Sequence, residues 1–335
     1  MNDKPVLGIL IGDGAGVGPE IIAKLAISNF FEQYCQPIII GDARILERAF
    51  SVLGSSVPLQ IIDEVDQADW NKGLPVLDQK DQDPNSVVFG KLTTIAGKAN
   101  LHAMELGVEL YKANKIEGFC FGPFNKAGLK DAGCEFESEH HFLAQLFNHT
   151  EPFGEINVLG DLWTTRTTSH IPISEVSKHL SIERILRAVR LANASLKNSG
   201  IPKPRLALAA LNPHAGEHGL CGREEIDIIE PAIVEAKKMG IDASGPYPSD
   251  ITFIKAFRGD FDGVVTMYHD QGQIALKLRG FDEGITIAGG LPAPIVTCAH
   301  GTAYDIAGKG IVKTSAFENA VKMASRMANH LRTQA

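Results

Sequence analysis

Short apolar, β-branched runs recur along this chain, and several of them end directly on reactive side chains. The runs are Val6–Ile11, Pro37–Ile40, Gly118–Phe121, Ile156–Leu159, Leu206–Leu211, Gly263–Met267 and Pro294–Cys298. Segments with helical spacing lie between or after them, at Pro19–Ser28, Asn100–Asn114, Ser181–Asn198, Glu224–Met239 and Ala316–Thr333. Nearly continuous apolar strands alternating with amphipathic helices predict an α/β body around a largely parallel, covered sheet. FCFGP leads to Asn125 and Lys126, LALAALNP to His214, GVVTMY to His269 and Asp270, and IVTCA to His300. In open α/β sheets ligands bind beyond the carboxyl ends of strands, so these endings predict one site assembled from distant parts of the chain.

At 335 residues, with no internal repeat and no long Pro/Ser/Gly linker, the chain suits one body of two lobes that share a sheet. A net charge of −8 argues against a general nucleic-acid surface, although a local basic pocket for an anionic substrate is compatible with it. The five cysteines, Cys35, Cys120, Cys134, Cys221 and Cys298, are scattered without a CxxC pair, which fits reduced, mostly buried thiols. No charged n-region with a cleavage site opens the sequence, and no apolar run approaches the roughly 20 residues of a membrane helix. The expectation is a cytoplasmic protein that meets neither membrane nor nucleic acid.

Four constellations carry chemistry. The first, IGDGAGVGPEII, reads as a strand, a glycine-rich turn and a helix start, with Pro19 in the first helical turn. Gly12, Gly14, Gly16 and Gly18 alternate, so no G-x-G-x-x-G can be drawn through them. A packing turn and a ligand-facing loop that includes Gly12 and Asp13 both remain open. The second is the histidine set His170, His214 and His269. Neutral imidazole suits divalent transition metals, and three protein ligands leave a coordination position for substrate. A lone histidine is more often a hydrogen-bonded or surface residue, and spacing cannot show that these three converge. Asp250 and Asp270 suit extra ligands or carboxylates that orient the ligands, with a helix N-cap as the other reading of Asp250. The third, CAHGTAYDIAGKG, places His300, Gly301, Thr302, Ala303 and Asp305 in a compact loop that could receive an adenosine, or serve as a plain connection. The fourth is the pair Lys126 and Lys277, either of which could hold an anion or relay a proton.

These blocks, in order, make the chain resemble the 4-hydroxythreonine-4-phosphate dehydrogenase family of vitamin B6 synthesis. GDGAGVGPEI, GPFNKAGLKDAG, LNPHAGEHGLCGREE, GPYPSDITF, YHDQGQIALKLRGF and HGTAYDIAGKG carry the resemblance nearly from end to end. The resemblance implies the isocitrate/isopropylmalate-dehydrogenase-like fold. Within it, residues 1–125 plus 271–335 are expected as the nucleotide-binding lobe and 126–270 as the metal-binding and dimerisation lobe. It implies a metal on His170, His214 and His269, and a homodimer whose sites each take a metal ligand from the partner subunit. It places the lysine that follows the YHDQG block on Lys277 and the aspartate of the PxD block on Asp250.

At other positions the chain departs from the family pattern. A His-Thr pair that touches substrate is replaced by Glu139 and His140, and an Asn and an Arg by Thr286 and Ile295. Losing the arginine removes a bidentate fork for phosphate or carboxylate, and a glutamate nearby repels phosphate. The implied activity is a metal-dependent dehydrogenase of a small hydroxy acid, using NAD or NADP, with decarboxylation where a β-keto acid forms and with altered substrate specificity. Zinc is the first choice of metal, with cobalt, nickel, manganese or magnesium as alternatives. Lys277, Asp250 and Asp270 are the expected catalytic groups. The competing readings are a dihydrodiol dehydrogenase of aromatic-acid catabolism, as in terephthalate breakdown, a non-redox phosphate-acyltransferase-like protein, and a redox-dead sensor.

Overall fold

The computed structural model describes residues 4–136 and 138–334. Its strands are β1 (Val6–Leu10), β2 (Gln36–Gly41), β3 (Leu59–Ile62), β4 (Leu74–Asp78), β5 (Phe119–Phe121) and β6 (Gly154–Leu159), then β7 (Leu162–Arg166), β8 (Arg205–Ala209), β9 (Asp242–Tyr247), β10 (Gly263–Thr266), β11 (Ile285–Gly289) and β12 (Ile295–Cys298). The α-helices are α1 (Gly18–Ile27), α2 (Phe31–Tyr34), α3 (Ala43–Leu53), α4 (Thr94–Lys112), α5 (Lys126–Asp131) and α6 (Glu139–Leu146), then α7 (Val176–His179), α8 (Ile182–Asn198), α9 (Glu230–Lys238), α10 (Ser249–Phe257), α11 (His269–Gly280) and α12 (Ser315–Arg332). The fold is mixed α/β and its strand pairing is mostly parallel.

Two compact units divide the chain, Met1–Thr150 with Leu291–Ala335, and Glu151–Gly290. These breaks fall later than residues 125 and 270, where the sequence suggested them. The reason is local: α5 and α6 pack on α4 of the first unit, while α11 lies on β7 and β10 of the second.

In the first unit the strand order is β3-β4-β2-β1-β5-β12, and every pairing is parallel. The central strands are apolar on both faces because helices cover both: Leu7, Ile9, Leu10, Ile38, Ile39, Ile40 and Phe119 are fully buried. Helices α3 and α4 start at capping side chains. Asp42 Oδ1 accepts from Arg44 N at 3.0 Å ahead of α3, and Thr93 Oγ1 from Ala96 N at 3.1 Å ahead of α4.

In the second unit the order is β11-β6-β7-β10-β8-β9. β7, β10, β8 and β9 run parallel, while β6 is antiparallel to both β7 and β11. A two-residue turn at Gly160 and Asp161 joins β6 to β7, and Gly160 supplies the positive φ of 57° that such a turn requires. Phe253 and Ala256 of α10 and Leu276 of α11 close a core over Leu159, Leu162, Ala207 and Val264.

All seven apolar runs form strands, with ends shifted by no more than two residues. The strands without such a run were not anticipated. β3 and β9 are edge strands, where polar residues, Gly and Pro are tolerated and the apolar signal fades. The helix expected over Glu224–Met239 opens instead as a π-type turn at Glu225–Ile229 before α9. Pro231 has no N–H to offer the carbonyl four residues back, which weakens α-type bonding across that stretch.

Candidate active site

In the second unit, three neighbouring parallel strands deliver the three histidines. β10 pairs with β7 on one side and β8 on the other, in a register that aligns Val264 with Thr164 and with Ala207. His170 follows β7, His269 follows β10 at the first residue of α11, and His214 follows β8. The adjoining β9 leads into α10, where Asp250 is exposed in the first turn. Pro248 holds the N-cap position of that helix, which corrects the N-cap reading of Asp250.

Beyond β7 and β10 the two chains stay tied together. Thr167 N donates to Thr266 O at 2.8 Å, and Thr168 bonds Met267 O through both its N–H and its hydroxyl, at 3.1 and 2.7 Å. The imidazoles of His170 and His269 therefore lie close, tilted by 44° with centroids 5.6 Å apart. Asp270 Oδ1 lies 2.7 Å from His269 Nδ1, which leaves Nε2 as the nitrogen open to a ligand. Among the described residues, no three His, Cys, Asp or Glu side chains stand close enough together to enclose an ion.

His214 sits on a short left-handed turn. His214, Ala215, Gly216, Glu217 and His218 all have positive φ, between 42° and 77°. For non-glycine residues each such conformation costs about 1–2 kcal/mol, so a run of them requires strong outside support. Just ahead of the run, Glu225, buried at 1% exposure, accepts from Leu211 N and Asn212 N at 2.8 Å each through Oε1. Gln271, the second residue after His269, joins the strand ends. Its Oε1 accepts from Met267 N at 2.7 Å, and its Nε2 donates to Ala210 O at 2.6 Å and Ser249 Oγ at 2.7 Å.

A second polar network underlies His170. Arg166 donates to Glu155 Oε2 at 2.6 Å, Asn157 Oδ1 at 3.0 Å and Ser169 Oγ at 2.9 Å. Asn157 in turn donates to Thr286 Oγ1 at 3.1 Å and accepts from Gln273 Nε2 at 2.6 Å. Thr286, 8% exposed, is thus tied into this network. Lys277 is exposed on α11, seven residues beyond Asp270 and so on the same helical face, about 10 Å along the axis.

In the first unit, residues 11–20 are buried throughout, and the glycine-rich segment is packed tightly on its neighbours. A Cβ at Gly12 would lie 2.7 Å from the Gly122 carbonyl carbon, and one at Gly16 would lie 2.8 Å from Thr302 O. Asp13 N donates to Pro123 O, and Val17 N donates to Thr302 O at 3.0 Å. The GDGAG turn thereby braces the loop of His300, Gly301, Thr302, Ala303 and Asp305. Ala303 has φ +46°, Asp305 and Gly301 are exposed, and His300 Nδ1 lies 3.0 Å from Gly301 O.

Tyr304 OH donates to Asp13 Oδ2 at 2.5 Å. Burial raises the Asp13 carboxyl above its ordinary value, with the Tyr304 hydroxyl and the Ala15 N–H pulling it back. Burial, joined by the Asp13 carboxylate, raises the Tyr304 phenol. Asn125 caps α5 through Ala127 N and Gly128 N, and leaves Lys126 exposed at the first helical position. In α6, His140 is buried, and Glu139 Oε2 is a buried oxygen with no hydrogen-bond partner among the described residues. Ile295 is fully buried at the start of β12, paired with Phe119. Burial pushes the Cys35 and Cys298 thiols up to about 12, and that of Cys120 up as well, so none of the three is a nucleophile at neutral pH.

Sequence reasoning passed over Glu225, Gln271, Tyr304 and the Arg166 network. Gln271 and Tyr304 stand inside the motifs YHDQG and HGTAY, and their partners lie far away in sequence. Nothing in the segments around Glu155 and Arg166 marks them.

Comparison with known proteins identifies the family. The family model of the pyridoxal phosphate biosynthetic protein PdxA matches residues 33–324. The chain is 37% identical over 330 residues to a 4-hydroxythreonine-4-phosphate dehydrogenase of Desulforapulum autotrophicum, covering 98% of this chain and 96% of the relative. It is 36% identical over 325 residues to a D-threonate 4-phosphate dehydrogenase of Cupriavidus necator, covering 97% of each. The crystal structure of a 4-hydroxythreonine-4-phosphate dehydrogenase from Klebsiella pneumoniae matches with a TM-score of 0.86 at 32% identity, covering 97% of this chain and 100% of that one. The chain belongs to the PdxA family, and with it to the NAD(P)-dependent oxidoreductases that act on CH–OH groups.

Proposed function

We propose that this chain oxidises the hydroxyl of a small four-carbon hydroxy acid, with NAD or NADP as hydride acceptor and a divalent metal on the set His170, His214 and His269, which the described residues of one chain do not close by themselves and which a dimer would complete with a ligand from the partner subunit. The observation that carries the reading is the position of the three histidines beyond the carboxyl ends of β7, β10 and β8, with the His170 and His269 ring centroids 5.6 Å apart. Imidazole donors fit zinc best, with cobalt, nickel, manganese or magnesium as substitutes. When bound, the cation would lower the pKa of the substrate hydroxyl, and the nicotinamide would accept the hydride.

The chain's own groups do the rest. Asp270 fixes the ring of His269 and its tautomer through Nδ1. Lys277, on the same helix, holds the substrate's anionic group or carries the hydroxyl proton away. Asp250, exposed beyond β9, is the second orienting carboxylate. In the first unit, the loop His300–Asp305, braced by Gly12 and Asp13, suits the adenosine, with Asp305 on the ribose diol.

Both named relatives act on four-carbon acids phosphorylated at C4. In this chain Ile295 is a core residue without polar atoms, Thr286 is engaged by Asn157, and Glu139 adds a carboxylate in place of a family histidine. These three differences support a substrate end recognised otherwise than in those relatives, with Lys126 and His140 as the other groups of that shell.

A second copy of the chain fits the same reading. Ile251 and Ile254 of α10, Ile274 and Leu278 of α11, and Phe281 just after it are 42–84% exposed, large apolar side chains on α10 and on the helix that His269 opens, which a partner subunit would cover.

The test is metal removal followed by a substrate panel. Chelation should abolish substrate-dependent formation of reduced cofactor, and added zinc or cobalt should restore it. Full turnover by metal-free protein overturns the metal reading. Four-carbon hydroxy acids with and without a 4-phosphate, assayed with each cofactor, separate the substrate classes, and released CO₂ reports decarboxylation.

A further inference from the structure

The strained turn that carries His214 is not needed to connect β8 to the next helix, since ordinary loops do that without successive left-handed residues. Four of its six positive-φ positions, His214, Ala215, Glu217 and His218, bear side chains. Such strain persists only where the surroundings impose it, and it gathers at functional positions.

A single buried carboxylate gathers the donors at the start of the turn. Besides the Leu211 and Asn212 amides on Oε1, Glu225 Oε2 accepts from Asn212 Nδ2 at 2.9 Å. The same Nδ2 donates to Glu224 Oε2 at 2.7 Å, and Ser177 Oγ donates to Glu224 Oε1 at 2.6 Å. The turn lies directly against this pair: a Cβ on Gly216 would come within 2.7 Å of Glu225 Oε2, and one on Gly222 would overlap Asn212 Nδ2. Cys221 N donates to Gly216 O at 3.0 Å and closes the far end. The π-type turn that begins at Glu225 lets this carboxylate sit beneath the loop. On the opposite side, Gln271 pins Ala210 to Met267, so the root of the turn is fixed to the strand end from which His269 departs.

We propose that Glu225 is a positioning residue, whose buried carboxylate forces residues 213–219 into the left-handed turn and thereby sets His214 in place for metal binding. The consequence for metal binding rests on the function proposed above, whereas the hold on the turn does not. An ionised carboxylate offers acceptors only, and here three N–H donors converge on it. A glutamine would turn an N–H₂ group toward one of those donors.

The test uses the full chain as E225Q, with H214A as reference and Co²⁺ alone as probe. Amide hydrogen exchange over residues 211–221 should accelerate in E225Q. Co²⁺ affinity, measured by calorimetry, should fall roughly 10- to 100-fold, toward the H214A value, with a changed visible Co²⁺ spectrum. Unchanged exchange in a folded E225Q overturns the proposal, as does accelerated exchange with parental Co²⁺ binding when H214A binds weakly. Should H214A bind Co²⁺ like the parent, the metal reading fails, and exchange alone decides whether Glu225 holds the turn. If E225Q does not fold, E225D, which keeps the charge but withdraws the carboxylate by one methylene from its three donors, takes its place: the same measurements are made, and the same outcomes support or overturn the proposal.

Discussion

The imidazole planes of His170 and His269 are inclined by 44° with ring centroids 5.6 Å apart, although 99 residues separate them in sequence. The relationship follows from the pairing of β7 with β10, and His269 is further fixed by Asp270. Replacing Asp270 with Asn keeps the shape of the side chain but removes the charge that orients the imidazole. D270N should bind divalent metal roughly 10- to 100-fold more weakly, by calorimetry, with little change in thermal stability.

Arg166 is the hub of the polar network beneath His170. Its side chain is 8% exposed and that of Glu155 is 29% exposed, so removing the guanidinium strands a partly buried carboxylate as well as Asn157. R166A should lose about 3 kcal/mol in urea unfolding. R166K keeps the charge without the planar fork and should fall between the parent and R166A.

In the first unit α4 and α5 touch through glycine. A Cβ on Gly97 would overlap Gly128 O and lie 2.6 Å from its carbonyl carbon. Alanine inside a helix normally gains up to about 1 kcal/mol over glycine, but here the clash is with backbone that no side-chain rotation relieves. G97A should therefore lower the melting temperature, at a net cost of about 1–3 kcal/mol.

Asp42 sets an acid limit on the same unit. Burial alone would raise its carboxyl, yet the bonds from the Arg44 side chain and from the Gln82 and Arg44 amides outweigh that and hold it below the usual 3.8. A depressed folded-state pKa contributes stability that is fully present above the unfolded value and is lost as pH falls through the folded one. D42A should cost about 2 kcal/mol at neutral pH, and its deficit should shrink below about pH 4. Unfolding curves of parent and variant across that range check the sign.

The histidines, the strand endings and the HGTA loop were legible because each depends on residues close in sequence. Apolar runs mark buried strands wherever both faces of the sheet are covered, as in β1, β2 and β10. The rule that ligands gather at strand ends then points to His214, His269 and His300 without coordinates. The Asp250 N-cap reading failed on a one-turn detail, since Pro248 begins that helix.

The chain alone therefore determines the alternation of strands and helices, the family blocks and the residue types available for chemistry, because periodicity and turn chemistry are local. Only tertiary structure decides that β7, β10 and β8 are neighbours, that Gln271 joins two of their ends, and that Glu225 bends the His214 loop left-handed. Strand order and buried hydrogen bonds link residues that are remote in sequence, and neither leaves a pattern along it.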